Sequence, residues 1–178
     1  MRYVLTYGGI AGAIVVGIIC ATIAAGVPSH QSSVLLGYLV MLLGLSLIFV
    51  GVKRYRDVER GGVIGFGRAF LLGVGMAAVA GVVYAFGWEL YLANSGTDFM
   101  AGYSRSVLAH MKAAGASPAA IADKAAELRK LTELYSKPLI RMPMTFVEVF
   151  PVGFLVALVS AALLRNPRLL PLRRAAAA

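Results

Sequence analysis

"SVLLGYLVMLLGLSLIFVGVKRYRDVER" occupies residues 33–60. From Ser33 to Val52 it has no charged side chain. The next eight positions supply Lys53, Arg54, Arg56, Asp57, Glu59 and Arg60. A bilayer core is crossed by roughly 20 apolar residues in helical form. Such a run ending abruptly in basic residues predicts a transmembrane helix with its end at a cytoplasmic surface.

Three more segments of this kind flank it, at about Val4–Val27, Phe66–Ala93 and Met142–Leu164. The first has an apolar core longer than the about 7–15 residues of a signal peptide, and only Arg2 precedes it. It is read as a retained anchor. The composition agrees. The chain has 178 residues, 60% hydrophobic and 14% charged, against about 45–50% and 25% in soluble domains. Mean hydropathy is +0.81. The net charge of +9 does not point to nucleic acid, because the basic residues border the apolar runs and suit anionic headgroups. Cys20 is the only cysteine, which precludes an internal disulfide.

The expected fold is all-α: one polytopic membrane domain, residues 1–178, with spans at about 4–27, 33–52, 66–93 and 142–164. Orientation follows from Lys and Arg in the connections. The 53–60 stretch is basic, "VPSHQSS" between the first two spans has neither, and Arg165, Arg168, Arg173 and Arg174 follow the last span. Both termini are therefore expected in the cytoplasm, and 94–138 outside. This points to multi-pass insertion in a bacterial inner membrane. Lys53, Arg54, Arg56, Arg60 and Arg68 are expected to anchor to lipid headgroups, as is the basic tail, 165–178.

Segment 94–138 carries helical periodicity. Phe99, Tyr103, Val107 and Met111 share one face of a helix expected from Thr97 to Gly115. Ser117 caps a second helix, with Pro118 first. Ile121, Ala125, Leu128 and Tyr135 form its apolar face, and Glu133 and Lys137 have the favourable i, i+4 order. Together these predict an external amphipathic hairpin, which caps the bundle or docks a partner. Within the spans, small residues recur at helical spacing: Gly8 and Gly12; Gly37, Gly44 and Gly51; Gly73, Ala77, Gly81 and Ala85; Gly153, Ala157 and Ala161. Such stripes let helices approach closely in lipid. They predict a tight four-helix bundle, with Met41, Met76 and Met144 as packing residues.

Several stretches together resemble a bacterial membrane family called domain of unknown function 4199. They are "GYLVMLLGLSLIFVGVKRYRD" (37–57), "GGVIGFGRAF" (61–70), "GAS" (115–117), "YSKP" (135–138) and "TFVEVFPVG" (145–153). The resemblance implies four spans with an external helical insertion. Glu148, Pro151 and Gly153 fall in its last motif. It implies no catalytic residues.

Ionisable groups within a bilayer are costly, so each is a functional candidate. Glu89 lies near the external end of the third span and Glu148 just inside the fourth. Arg141 is seven residues before Glu148, on nearly the same face, and Thr145 is three before it. Pro151 lacks an N–H and frees the carbonyl of Val147. The expected arrangement is a polar cluster in which Glu148 pairs with Arg141 or a tyrosine and pins span four to span three. Glu89 is expected to face interfacial water. The alternative is a proton or cation site. Tyr3, Trp88, Tyr91 and Tyr135 suit interfacial belts. His30 and His110 are isolated, and no metal, cofactor or nucleophile motif is present. The reading is a non-enzymatic inner-membrane protein with a structural, accessory or partner-binding role. Its partners would be lipids, a membrane protein or further copies of itself. The alternative is a proton- or cation-coupled transporter built as an oligomer around Glu89 and Glu148.

Overall fold

The computed structural model describes residues 1–25, 32–96 and 98–171. These form seven helices: α1 (Arg2–Ala24), α2 (Ser32–Leu45), α3 (Leu47–Glu59), α4 (Phe66–Ser95), α5 (Phe99–Ala113), α6 (Pro118–Tyr135) and α7 (Pro138–Leu164). No strand occurs among the described residues. Four helical runs are long and apolar enough to cross a membrane: Arg2–Ala24, Leu35–Glu59, Phe66–Ser95 and Pro138–Leu164. The chain thus has the helices of a multi-pass membrane protein. The expected end of the first span at Val27, Thr97, His30, and Arg173 and Arg174 of the tail lie outside the described residues.

Two span boundaries differ from the sequence expectation. The second apolar run does not stop at Val52. α3 continues to Glu59, so Lys53, Arg54 and Arg56 are helical rather than part of a loop. Lys and Arg are good helix formers, and Lys53 bonds Asp57 one turn on at 2.5 Å. The helix ends where Gly61 (φ +61°) and Gly62 (φ +94°) take left-handed conformations that favour glycine. The fourth run begins earlier than Met142. Pro138 opens α7 after Lys137, whose backbone is extended as it must be before proline. Lys137 therefore leaves α6, and the ion pair on that helix is Lys124 with Glu127 at 2.8 Å, not Glu133 with Lys137. Pro143 and Pro151 both lie within α7.

α4 lies at the centre, packed against both α1 and α7. The small-residue stripes explain how. A Cβ on Gly12 would lie 2.5 Å from the Ala80 carbonyl oxygen, and one on Gly8 would lie 2.6 Å from that of Met76. On the other flank, a Cβ on Gly73 would meet Ala157, and one on Gly153 would meet Ala77, each at 2.8 Å. A side chain at any of these four glycines would clash with the facing helix, and such close approach is how helices gain contact without a hydrophobic drive in lipid. Gly44 and Gly51 also sit against neighbours, but Gly37 faces open space and packs nothing. Met41 and Met76 are buried, whereas Met144 is 40% exposed and does not fill the bundle.

α5 and α6 pack on one another and α6 also touches α7. Asp98 caps α5 by accepting the Ala101 N–H at 2.9 Å, and Ser117 caps α6 by accepting that of Ala120 at 3.2 Å. Gly115 (φ +76°) turns the chain between them. Leu128 is the buried residue of α6, as its apolar face requires. On α5 the buried residue is Met100, while Tyr103 is largely exposed.

Candidate functional site

Four elements meet at the end of the bundle where α4 stops and α7 begins. α4 brings Trp88 and Glu89 in its last two turns, α5 brings Phe99, α6 ends on Tyr135 and α7 brings Arg141 in its first turn. Trp88 is 3% exposed, and its Nε1–H donates to the Tyr135 hydroxyl at 2.6 Å. A buried indole N–H without an acceptor would be costly, so this bond fixes α6 against α4. Phe99 meets Trp88 edge-on with centroids 5.1 Å apart, and lies 6.2 Å from the Tyr135 ring. Trp88 is thus a packing anchor between helices and not part of an interfacial belt.

Arg141 completes the junction. Its Nε and Nη2 donate to the two oxygens of Glu89 at 2.6 and 2.5 Å. Its Nη1 donates to the Tyr135 carbonyl at 3.0 Å. The guanidinium also stands over the Tyr135 ring, 5.4 Å from the centroid. This forked geometry is what arginine supplies and lysine does not. One side chain thereby joins α4, the end of α6 and the start of α7. Burial pushes the Tyr135 phenol above its ordinary pKa, against the opposing effects of Trp88 and Arg141. The hydroxyl is therefore neutral at physiological pH and accepts from Trp88.

The expected roles of the two glutamates are exchanged. Glu89 does not face water alone but holds Arg141. Glu148 does not pair with Arg141, and makes no hydrogen bond or ion pair among the described residues. It sits on the exposed flank of α7, beside Val147 at 62% exposure, about 15 Å along the helix from Pro138 at 1.5 Å per residue. Thr145 is buried, and its hydroxyl donates to the Arg141 carbonyl at 2.9 Å, not to Glu148. Pro151 is exposed on the same outer flank. Sequence spacing put Arg141 and Glu148 on one face, but spacing along one helix carries no information on a partner across the bundle.

At the opposite end of the bundle, the basic residues divide. Arg56 is fully buried. It donates to Asp57 at 2.8 Å and to the carbonyls of Leu169 and Leu170 at 3.0 and 2.6 Å. The expectation of a headgroup anchor does not hold for Arg56, because its guanidinium clamps the segment after α7 onto α3. Leu170 takes a left-handed φ of +50° in that clamp. Arg54, Arg60 and Arg68 are exposed, and Lys53 is half-buried on Asp57. Across from them, Glu59 accepts from Arg2 at 2.7 Å and from the Tyr3 hydroxyl at 3.0 Å. The Arg56 clamp was not legible beforehand. The one signal was an arginine whose position, between Val52 and Gly62, falls on the inward face once the helix is extended.

A family model described as Protein of unknown function (DUF4199) matches residues 6–166. No curated protein and no solved structure matches the chain.

Proposed function

The chain belongs to the DUF4199 family, and on that premise we propose an accessory role in the bacterial inner membrane, in which the four spans hold α5 and α6 at the external face as a platform for a membrane-protein partner. One observation carries this reading. The side chains of Trp88, Tyr135, Glu89 and Arg141 bond one another across α4, α6 and α7 and fasten the helix pair to the bundle. Threading follows the positive-inside pattern, with both termini and the 60–65 link cytoplasmic. No catalytic step is assigned, and the other partners in this reading are lipids with anionic headgroups or further copies of the chain.

Two measurements test it. In a Cys20→Ser background, Ser117→Cys should react with an impermeant thiol reagent in intact cells and Arg60→Cys should not; the reverse result inverts the threading. A photo-crosslinking residue at Ala126 or Leu134 should capture one protein, while one at Leu43 on α2 should not. That capture should weaken when Arg141→Leu loosens the pair. Equal capture at all three positions would discard the platform.

Glu148 favours a second reading, proton- or cation-linked transport. It is the carboxylate in the spans with no hydrogen-bonding or ionic partner among the described residues, so the coupling role narrows to it and leaves Glu89 aside. Flux in reconstituted vesicles that vanishes in Glu148→Gln would select this reading over the platform.

A further inference from the structure

The basic end of the bundle contains a groove of about 420 Å³, lined by Arg2, Tyr3, Thr6, Tyr7, Arg54 and Val58. Its donors outnumber its acceptors. On α3, Asp57 is engaged by Lys53 and Arg56, and Glu59 by Arg2 and Tyr3. No further acid lies on that helix. Arg54 is exposed and has no hydrogen-bonding or ionic partner among the described residues. The Thr6 and Tyr7 hydroxyls have no side-chain or backbone acceptor there either. Arg2, Arg54 and Glu59 together leave one positive charge in excess.

The walls are ordered by ring contacts. Tyr3 stacks on Tyr7 with centroids 6.4 Å apart and meets Tyr55 edge-on at 5.5 Å. A tetrahedral anion is held by a guanidinium fork together with hydroxyl donors, which is the set present here. The groove also sits where the charge-free run of α2 and α3 gives way to Lys53 and Arg54, the depth at which headgroups lie. Val58 offers an apolar wall for the glycerol or acyl portion.

We propose that the Arg2–Arg54 groove binds the phosphate ester of an anionic phospholipid headgroup. This rests on the reading of anionic lipids as partners, not on the platform, and assigns a defined site where charge alone gives a diffuse attraction. Arg54 and the Thr6 and Tyr7 hydroxyls hold the phosphate oxygens. Glu59 limits affinity by occupying part of Arg2.

The test uses the full chain, delipidated in a neutral detergent, with fluorescent phosphatidylglycerol, phosphatidylcholine and inorganic phosphate as separate probes. Phosphatidylglycerol should bind and phosphatidylcholine should not. Arg54→Gln should weaken binding roughly tenfold or more, the scale of a lost charge-assisted hydrogen bond. Arg68→Gln removes an exposed cation at the same end but outside the groove. Its loss should stay within about fivefold, the effect of one cation near an anionic surface. Glu59→Gln should tighten binding, since it removes the opposing carboxylate and releases Arg2. Thr6→Val keeps the helix and the charge and should also weaken binding. Equal losses in Arg54→Gln and Arg68→Gln would overturn the site. Saturation by inorganic phosphate without binding of the lipid would overturn the lipid as the source of the phosphate.

Discussion

Among the described residues, two arginines are buried or half-buried, at opposite ends of the bundle, and they do different work. Arg141 meets a carboxylate, and the pair is internally neutral; its side chains are 14% and 20% exposed. Arg56 is fully buried and makes two of its three hydrogen bonds to backbone carbonyls, sharing Asp57 with Lys53. The first arrangement closes a junction and leaves no charge over. The second retains one positive charge, and Arg54, Arg60 and Arg68 add exposed cations at the same end. The difference separates an end that fastens a helix pair from an end that carries uncompensated cations. Charge balance within each cluster decides what is available outside it.

The comparison breaks most readily at Arg56. Arg56→Leu should leave the carbonyls of Leu169 and Leu170 without their donor and Asp57 with Lys53 alone. A loss of about 3–5 kcal/mol is expected, as for other buried charges whose partner is removed. Thermal unfolding in detergent measures it. Proteolysis should then also cut within 165–171. A midpoint within 2 °C of the parent would mean that the clamp adds nothing.

Arg141→Leu should follow, at about 2–3 kcal/mol, smaller because both ions of its pair retain some solvent contact. Its signature is local: α5 and α6 become protease-sensitive while the spans stay intact. A double-mutant cycle with Glu89→Gln should give a coupling of about 1–3 kcal/mol. A coupling of zero would show that Glu89 and Arg141 act separately.

The two ends were not equally legible in the sequence. Spans, small-residue stripes and the Ser117–Pro118 start were readable because each depends on composition or short-range spacing. The Gly12–Ala80 and Gly73–Ala157 approaches are the direct result of those stripes. The junction was readable only in part. Trp88, Tyr135, Glu89 and Arg141 were each visible as candidates, but Glu89 and Arg141 lie 52 positions apart. Nothing local ranks Glu89 above Glu148 as the partner of Arg141. The extension of α3 was hidden by the charge of 53–59, which imitates a loop next to a membrane. Helix propensity and the Lys53–Asp57 pair outweigh that appearance.

Trp88→Phe should have a smaller effect, about 0.5–1.5 kcal/mol, because the ring contact with Phe99 survives and one hydrogen bond to Tyr135 is lost. It tests whether the aromatic half of the junction matters apart from the ionic half. Tyr135→Phe should cost more, about 1–3 kcal/mol, since it leaves the buried Trp88 N–H without its acceptor. A loss no larger than that of Trp88→Phe would mean that the indole N–H is satisfied in another way.

Glu148 should show the smallest effect on stability. In a latch, Glu148→Leu would strand its partner and Glu148→Gln would not. Here the carboxylate has no hydrogen-bonding or ionic partner among the described residues and lies on the outer flank of α7. Both variants should fall within about 0.5 kcal/mol of the parent, the range for exposed positions without special contacts. In lipid the leucine variant should if anything be more stable, because an ionisable group on a membrane-facing flank is itself a cost. The deciding experiment pairs thermal unfolding of both variants with flux in vesicles. Unchanged stability and unchanged flux would leave Glu148 as a surface group of a platform. Unchanged stability with flux lost in both variants would mark a proton or cation site, since neither an amide nor an alkyl group can exchange a proton. A clear loss of stability in Glu148→Leu alone would restore the latch and require a partner for Glu148 outside the residues described.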